Sequence, residues 1–446
     1  MTERRRERKR RFSVCALFDT ERVMYYNRNV KTAEAEKRCA MGFTQQDVSE
    51  FVRENDVRFI RLAFCDLFGE LKNISILPDQ LEKAFKYGIA FDASAVRGFL
   101  GVDRSDLFLR PDPSTMSVVP WRSMGGVVIR MICDIYYPDG KPFEGSGRYV
   151  LDRIKRRAAG MGYSCNIGAE CEFYLFREEE GKMVPLDDGG YFDVFPKDRG
   201  ENVRREICVT LEQMGLRPER SHHEHGPGQN EVDFRYDGVM ETADNIVTFR
   251  WVVASVARNN GLTASFEPKP VPGESGNGLH VNISLIKDGV NIFDGDGAMR
   301  RDARSFIAGI LNRISEICAF TNPKEASYAR LGAFEAPRFA TWSRGNRSQL
   351  IRVPYAYGDS KRIEVRNPDC VVNPYLAFAL LLNAGLEGIE NGEELPDECD
   401  ENAYLAQEGK YPMLPATLSE AKALAAKSAF VAETLGKKAA ESFLEG

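Results

Sequence analysis

The spacing of hydrophobic and polar residues over the first third of the chain predicts a small α+β domain. Arg58–Asp66 alternates between apolar and polar residues as a half-buried strand does, and Leu71–Leu77 repeats the alternation after the turn sequence Leu67–Glu70. Two such runs joined by a glycine-containing turn predict a β-hairpin. The other elements predicted here are a short helix over Asp79–Lys86, a loop-rich stretch over Phe91–Pro120 and a strand over Val127–Tyr136.

Beyond this region, helical and strand patterns alternate through the rest of the chain. The turn residues around Pro138 and Gly145 predict a domain boundary near residue 145. Helices are predicted over Arg148–Gly160, Glu201–Met214, Thr242–Asn260, Arg300–Phe320 and Asn373–Glu390, and strands over Ala169–Phe176, Glu231–Tyr236 and His280–Leu285. The last helix has Asn373 as its expected N-cap and Pro374 at its first position. The pattern therefore predicts two domains, over residues 41–145 and 146–446.

The composition predicts a soluble globular protein. The chain has 60 basic and 66 acidic side chains, a net charge of −6, and no apolar run of the roughly 18 residues that a membrane-spanning helix needs. This acidic balance argues against a nucleic-acid partner, and the lack of a long apolar run argues against a membrane. Ten scattered cysteines without a C-x-x-C pair are typical of reduced thiols, so we expect a cytoplasmic location.

The first 40 residues differ from the rest in charge. They hold 12 Lys and Arg residues against 6 Asp and Glu residues, with a basic cluster at Arg4–Arg11. We expect a solvated and poorly ordered extension. The alternatives are an arm for nucleic acid or membrane surfaces and a translation start upstream of Met41.

Acidic residues recur where strands and turns would bring them together. Glu170 and Glu172 are two apart in a strand pattern and face the same side, and Glu224 and Glu231 flank a turn-rich segment that folds the chain back. The two remaining candidates are His280 and Glu364. A solvated sheet face is the alternative for each pair alone. If all of them converge, their repulsion requires cations, and oxygen ligands favour Mg²⁺ or Mn²⁺, with two or more ions in one site.

Arginines crowd one part of the sequence. Guanidinium groups suit carboxylates and phosphates, although a solvated surface is the alternative. Arg352 lies in the apolar run Leu350–Pro354, where an unpaired charge would be costly. No Walker or G-x-G-x-x-G motif is present, so a nucleotide must be held in another way. The arginines are Arg330, Arg338, Arg344, Arg347, Arg352, Arg362 and Arg366.

The histidine-rich sequence His222–His225 is a second candidate for metal chemistry. A histidine cluster can bind zinc. Because Glu224 lies within it, we interpret these histidines mainly as structural or supporting residues.

Taken together, the segments resemble the type I glutamine synthetases of bacteria and archaea. The resemblance runs in family order from about residue 41 to about residue 445. The matching segments are 91–94 (FDAS), 168–173 (GAECEF), 222–231 (HHEHGPGQNE), 276–280 (GNGLH), 322–323 (NP), 327–331 (SYARL), 334–337 (FEAP), 346–348 (NRS), 351–354 (IRVP), 362–366 (RIEVR) and 373–375 (NPY).

This resemblance implies an α+β architecture with two parts. A small β-grasp N-terminal domain would precede a catalytic domain built on a curved antiparallel sheet, a partial barrel flanked by helices. Homo-oligomeric rings would place active sites between subunits. The implied substrates are ATP, glutamate and ammonium.

The resemblance also implies the metal and nucleotide sites. One ion would be held by Glu172, Glu224 and Glu231, and the other by Glu170, His280 and Glu364. Arg347 and Arg352 would face the transferred phosphate. The nucleotide pocket would be lined by Tyr236, Ser284, Arg352 and Arg362.

The remaining implied roles concern glutamate and ammonium. Glutamate would be seated by Arg330, Arg366 and Gly276. Asp92 of the adjacent subunit, with Ser94 beside it, and Tyr191 would form the ammonium site. Glu335 would lie on a flap that closes over the site.

Departures from the family pattern concentrate at the amine end. Ala95 replaces a serine and Ala93 a glycine, Ser275 replaces an asparagine, and Tyr355–Ser360 lacks a lysine expected near ATP. Ammonium is the expected acceptor. The alternatives are a γ-glutamylamide ligase that uses a larger amine, such as a polyamine, and a non-catalytic glutamine or nucleotide sensor.

Overall fold

The computed structural model describes residues 42–121, 125–294 and 299–446. The predictions for residues 1–40 therefore lie outside the described residues. Within the described ranges, no helix is both long enough and apolar enough to cross a bilayer.

The N-terminal region is a six-stranded sheet with two helices. Its strands follow the spatial order β2-β1-β6-β4-β3, with β5 paired to β6, and only the β1–β6 pair is parallel. The elements are α1 (Gln45–Glu54), β1 (Val57–Cys65), β2 (Leu71–Ile76), α2 (Leu81–Tyr87), β3 (Ile89–Asp92), β4 (Asp106–Pro111), β5 (Ser117–Val118) and β6 (Val127–Tyr136). The predicted hairpin is confirmed as β1 and β2. The predicted loop-rich stretch contains β3, β4 and β5, whose short lengths and neighbouring prolines hide the alternation.

The catalytic region is built on a ten-stranded curled sheet, with the order β14-β15-β16-β12-β7-β10-β9. The strands are β7 (Tyr163–Glu179), β8 (Lys182–Pro185), β9 (Pro218–His223), β10 (Gln229–Gly238), β11 (Thr263–Ser265), β12 (Leu279–Lys287), β13 (Val290–Asn291), β14 (Trp342–Arg344), β15 (Ile351–Val353) and β16 (Ile363–Val365). All pairs are antiparallel except β14 with β15. The strand β7 is longer than predicted because polar and glycine residues weaken the signal before Ala169.

Helices complete the catalytic region. They are α3 (Gly147–Gly160), α4 (Glu201–Gln213), α5 (Val239–Asn259), α6 (Arg301–Thr321), α7 (Glu325–Arg330), α8 (Pro374–Asn391), α9 (Leu418–Lys427), α10 (Ala429–Leu435) and α11 (Lys437–Glu445). In α6 and α8, Gly309 and Gly388 let the two backbones approach closely, since a Cβ on Gly309 would lie 2.2 Å from the carbonyl oxygen of Ala384. The five helices predicted from the sequence are confirmed with ends shifted by at most three residues.

The cap predicted for α8 also joins the two regions. The Asn373 side-chain oxygen accepts hydrogen bonds from the backbone N–H groups of Tyr375 and Leu376 at 3.1 and 3.4 Å. Its amide nitrogen donates to the Leu67 carbonyl oxygen at 2.9 Å. One side chain therefore begins the central helix and fixes the β1–β2 turn against it.

A buried ion cluster makes a second connection between the two regions. The guanidinium of Arg148, in α3, lies 2.7 Å from Asp112, 2.5 Å from Asp134 and 3.2 Å from Asp244. The hydroxyl of Tyr375 donates to Asp244 at 2.6 Å. Burial raises the pKa of Asp112, but the charge of Arg148 together with hydrogen bonds from Ser114 and Arg148 outweighs burial, and the net pKa is lowered. Arg148 is therefore the cation that makes three neighbouring carboxylates compatible with one another.

Replacing Arg148 with methionine should destabilise the fold by about 3–5 kcal/mol, because three carboxylates lose their shared cation. Thermal unfolding at pH 7 measures the loss. The matched control is Arg156→Met, an exposed position on the same helix that pairs with Asp152 and should change stability by about 0.5 kcal/mol. Since the pKa of Asp112 is lowered in the fold, its contribution is present at neutral pH and is lost on acidification. The difference between Arg148→Met and the wild type should therefore shrink only below about pH 4, as the pH falls through the lowered pKa of Asp112, and an equal difference at pH 7 and about pH 3 would contradict this account.

Candidate active site

Backbone register brings acidic side chains together on one face of the catalytic sheet. On β7, Glu170 and Glu172 face the same side, and β10 places Glu231 directly opposite Glu172. On the other edge of β7, β12 places His280 opposite Glu170. Glu364 follows on β16, which pairs with β12. The convergence predicted from the sequence is therefore present in the fold.

Two groups of side chains present ligand atoms within 4.8 Å of one another. In the first group, His222 Nε2 lies 2.8 Å from Glu224 Oε1 and 3.9 Å from Glu231 Oε1. The second group has His280 Nδ1 at 3.2 Å from Glu170 Oε2 and 3.8 Å from Glu364 Oε1. The turn between β9 and β10 brings Glu224 back beside Glu231 in the first group, as the turn-rich sequence predicted.

The first group differs from the expected set in one member. His222, interpreted from the sequence as a supporting residue, occupies the group that was expected to include Glu172. The Glu172 carboxylate accepts hydrogen bonds from Gln229 Nε2 at 3.1 Å and from the Gly278 N–H at 2.9 Å. Glu172 thus lies beside the first group, between it and the glycine-rich loop before β12.

Burial, reinforced by repulsion between carboxylates, opposes ionisation at the first group and beside it. Burial and then the charges of Asp233 and Glu172 raise the pKa of Glu231 well above its ordinary value. Burial raises the pKa of Glu172 to about 7, against the opposing charge of His280, and Glu224 adds to the rise. These carboxylates have too little positive charge around them.

Arginines compensate the second group. Glu364 accepts hydrogen bonds from Arg352 Nη1 at 2.5 Å and from Arg366. Burial opposes ionisation of Glu364, but the charges of Arg366, His280 and Arg352 together outweigh burial and lower the pKa. Burial likewise raises the pKa of Glu170, while hydrogen bonds from His280 and Asn282 outweigh it and bring the pKa to about 2. The prediction that Arg352 needs a partner is confirmed by its pair with Glu364.

The donor sets fit divalent cations. Each group offers two carboxylates and one imidazole, a hard set suited to Mg²⁺ or Mn²⁺. The unneutralised charge of the first group is the stronger indication, because buried like charges persist when a cation joins them.

The residues expected to seat glutamate lie beside the second group. Arg330 is 3% exposed and donates to the carbonyl oxygens of Asn367, Pro368 and Arg366 at 2.8–3.2 Å. Gly276 lies against it, since a Cβ there would be 2.9 Å from the Arg330 side chain. Arg366 is fully buried. The Arg330 guanidinium is therefore held by backbone carbonyl groups against the loop that precedes β12, whereas that of Arg366 contacts Glu364 and Glu335.

The residues expected to line the nucleotide pocket lie on β10, on β12 and directly before β16. Arg362 Nε donates to Asn282 Oδ1 at 2.7 Å, and Asn282 Nδ2 donates to Glu170 at 3.0 Å. Ser284 is on the same strand as Asn282, two residues on. Tyr236 is 43% exposed at the end of β10. A hydrogen-bonded path therefore joins this region to the second group.

The segment 331–337, the flap segment, approaches the site from the opposite side. Arg366 Nη2 donates to both the carbonyl oxygen and the carboxylate of Glu335 at 3.2 Å. Arg347 Nη1 lies 3.7 Å from the same carboxylate. Tyr191 stacks on His225 with 4.5 Å between ring centroids and meets His222 edge-on at 5.6 Å. The flap glutamate and Tyr191 therefore reach the two ligand groups within one chain.

Asp92 is not joined to this cluster within the described residues. It lies at the end of β3, the edge strand of the N-terminal sheet, and is exposed. Its carboxylate accepts hydrogen bonds from the N–H and hydroxyl of Ser94 at 2.9 and 2.6 Å, and these bonds lower its pKa.

Several supporting residues were missed in the sequence. Asp233 is opposite Glu170 in register and 4% exposed, and its spacing of two from Glu231 is the alternation signal that could have revealed it. Asp187, which lies 2.8 Å from the predicted supporting residue His223, had no such signal because 36 residues separate the two.

The fold and the site define an enzyme suited to hard cations and anionic substrates. Residues 56–138 match the model of the glutamine synthetase beta-Grasp domain, and residues 144–446 match that of the glutamine synthetase catalytic domain. The chain is 48% identical to a glutamine synthetase of Clostridium saccharobutylicum over 82% of this chain and 84% of that protein. It is 46% identical to a glutamine synthetase of Methanosarcina mazei over 92% and 93%. A solved GmaS/ADP complex superposes with a TM-score of 0.82 at 29% identity, covering 90% of this chain and 94% of that one.

The chain belongs to the glutamine synthetase family. It is therefore an enzyme of the carbon–nitrogen ligase class, and the family implies the use of ATP and a divalent metal. The expected β-grasp domain and curved catalytic sheet are confirmed.

Because the Glu231 carboxylate is buried without a compensating cation, Glu231→Gln should change stability in opposite directions without and with bound metal. Without metal, Glu231→Gln should raise stability by about 1 kcal/mol at pH 8, because it removes a buried charge whose pKa is raised. The wild type alone should gain stability from Mn²⁺ at the first group, by about 2.7 kcal/mol at a concentration 100 times the Kd. Thermal unfolding with EDTA and with Mn²⁺ measures both effects.

Glu50→Gln, an exposed change on α1, is the control and should behave as the wild type. Because the pKa of Glu231 is raised, the benefit of the glutamine should grow as the pH rises from 5 to 8. A metal-free variant less stable than the wild type at pH 8 would refute the electrostatic account.

Proposed function

We propose that this enzyme condenses L-glutamate with ammonium to form L-glutamine, using ATP and passing through γ-glutamyl phosphate, with release of ADP and phosphate. The observation that carries the proposal is the convergence of two carboxylate–histidine groups with buried arginines on one sheet face. Membership of the glutamine synthetase family supports it.

The first step makes a poor acyl donor reactive. An oxygen of the glutamate side-chain carboxylate forms a bond to the γ-phosphorus of ATP, and the bond from that phosphorus to the ADP oxygen breaks. Arg330 and Arg366 suit the glutamate carboxylates, and Arg347 and Arg352 suit the phosphoryl oxygens, because guanidinium groups bind both bidentately. Divalent cations at the two groups would neutralise the phosphate charge.

The second step needs a neutral amine. Ammonium becomes a nucleophile only after losing a proton, and the lowered pKa of Asp92 keeps its carboxylate ionised and able to attract the cation. After Asp92 has accepted that proton, ammonia attacks the γ-carbonyl carbon, the bond from that carbon to the phosphate oxygen breaks, and the departing phosphate takes up the proton that the nitrogen loses. Tyr191 lies beside the first group, where it would line the amine site.

We further propose that Asp92 acts in a neighbouring subunit of a homo-oligomeric ring and that the enzyme works in the cytoplasm. The exposed position of Asp92 on an edge strand, with Ser94 as its hydrogen-bond partner, supports a role outside its own chain. The flap segment would exclude water while the acyl phosphate waits for the amine.

A γ-glutamylamide ligase that takes a larger amine is the second candidate. Ala95 is exposed and lines an open cavity of about 420 Å³ together with Ser94. A methyl group here occupies less space than the serine side chain of the family pattern. A non-catalytic sensor is disfavoured, because both ligand groups are complete.

The first experiment measures glutamate-dependent phosphate release from ATP with Mg²⁺, comparing ammonium with a panel of primary amines. Ammonium should give the highest kcat/KM and yield glutamine. Glu364→Gln, which removes a charge shared by the second group and two arginines, should lower kcat/KM at least about 100-fold, as loss of a transition-state electrostatic contact does. The Glu50→Gln protein should retain wild-type turnover. Stimulation only by a larger amine would establish the second candidate.

Subunit mixing tests the shared site. Asp92→Asn and Glu172→Ala chains should each be nearly inactive, whereas rings reassembled from equal amounts should recover about a quarter of wild-type activity, since a quarter of the sites would pair two intact residues. Mixing each variant with itself is the control. No recovery in mixed rings of confirmed composition would place Asp92 and Glu172 in the same chain's site.

A further inference from the structure

Two adjacent residues of the flap segment adopt a backbone conformation that side chains rarely take. Phe334 and Glu335 have φ angles of 50° and 65°, in the left-handed region, and neither is glycine. Such conformations persist only when the surrounding structure holds them. Two hydrogen bonds within the flap segment, from the N–H groups of Gly332 and Ala336 to the carbonyl oxygens of Ala336 and Ala333, close this turn, and contacts from outside the segment hold its tip in place.

Each of these two residues contacts a cation from outside the flap segment. Arg366 donates to the backbone and carboxylate of Glu335, as described above. Lys269 lies over the Phe334 ring, with Nζ 4.6 Å from the ring centroid. Phe334 is itself 56% exposed, so this contact is not part of a general hydrophobic core. The proposed reaction gives Arg366 a role, but it leaves Lys269 without one.

Lys269 ties the flap segment to the loop that carries Gly276. Its ammonium donates a hydrogen bond to the Glu274 carbonyl oxygen, and no carboxylate in the described part of the chain forms an ion pair with it. Burial and then the charge of Arg330 lower the pKa of Lys269. A partly desolvated ammonium over an aromatic face is the setting in which a cation–π contact is strongest.

The loop itself is closely packed. The Asn277 N–H donates to the Pro268 carbonyl oxygen at 3.0 Å, and a Cβ on Gly276 would lie 2.2 Å from that same oxygen. Lys269, next in sequence to Pro268, is therefore anchored on a rigid support at the glutamate side of the site.

We propose that Lys269 is a positioning residue that holds the flap segment over the reacting groups through the Phe334 ring. The inference rests on the proposed function, in which the flap excludes water from γ-glutamyl phosphate. Without the contact between Lys269 and Phe334, water would attack the γ-carbonyl carbon and the bond to the phosphate oxygen would break. Glutamate and phosphate would then form, with loss of a proton to solvent. ATP would then be consumed without amide formation.

The first test needs no activity. Hydrogen–deuterium exchange of the metal-free protein compares the wild type with Lys269→Met, Lys269→Arg and the control Lys182→Met, an exposed lysine on β8. Amides of residues 332–336 should exchange at least about five times faster in Lys269→Met, while those of α8 stay unchanged and report an intact fold. Lys269→Arg should restore slow exchange, because arginine keeps the charge over the ring. Unchanged exchange at 332–336 in Lys269→Met would overturn the proposal.

The second test measures phosphate released per amide formed, with saturating amine. We expect about one in the wild type and in Lys182→Met, and several-fold more in Lys269→Met and Phe334→Leu. The double variant should be no worse than either single one, since both remove the same contact. A ratio of phosphate to amide near one in Lys269→Met, with only a reduced kcat, would also refute the proposed role of Lys269. A wild type without any amide product would instead refute the proposed function, and the exchange measurement would still decide the role of Lys269.

Discussion

Crowding of carboxylates on one face of the catalytic sheet is the constraint on which the rest of the structure depends. Glu170, Glu172, Glu231 and Asp233 occupy facing positions on two adjacent strands, where a low dielectric strengthens their repulsion. Fixed arginines compensate one end of this row, at Glu364. At the other end Arg220 pairs with Asp233, but within the described residues no arginine or lysine pairs with Glu224 or Glu231. This difference in nearby positive charge explains why the pKa values of Glu170 and Glu364 are lowered and those of Glu172 and Glu231 are raised, although all four carboxyl groups are poorly solvated.

Holding such a face together requires a rigid backbone behind it. A slip of one residue in the register of β10 would turn Glu231 away from Glu172 and bury it in the core. The antiparallel ladder and the buried helices behind the sheet oppose that slip. Buried acids also crowd together at the junction of the two regions. There, the one guanidinium of Arg148 neutralises several of them. At the junction the energetic cost of buried acids is offset by this shared cation, and a bound divalent ion would do the same on the sheet face.

The sequence predicted the elements and ligands whose signal is local. Glu170 and Glu172 could be placed on one face from their spacing, and the turn before Glu231 indicated that Glu224 would return to it. His222 was interpreted as a supporting residue, and spacing could not report that its ring nitrogen lies within 4.8 Å of the ligand atoms of Glu224 and Glu231. Partners distant in sequence, such as Asn282 with Arg362, depend on strand order, which periodicity does not encode.

Arg366 contacts both the second group and the flap segment. Its guanidinium could therefore exchange one carboxylate partner for another when substrate binds. In the structure its guanidinium contacts Glu364 and also the carboxylate of Glu335. If Arg366 seats glutamate, the incoming carboxylate must replace that of Glu335, because one guanidinium cannot offer the same donors to both. Glu335 would then be released to face the amine, and the flap would lose the contact that holds its backbone. Lys269 over Phe334 does not compete with substrate, so it is the contact that would remain to fix the flap while the acyl phosphate is exposed to water.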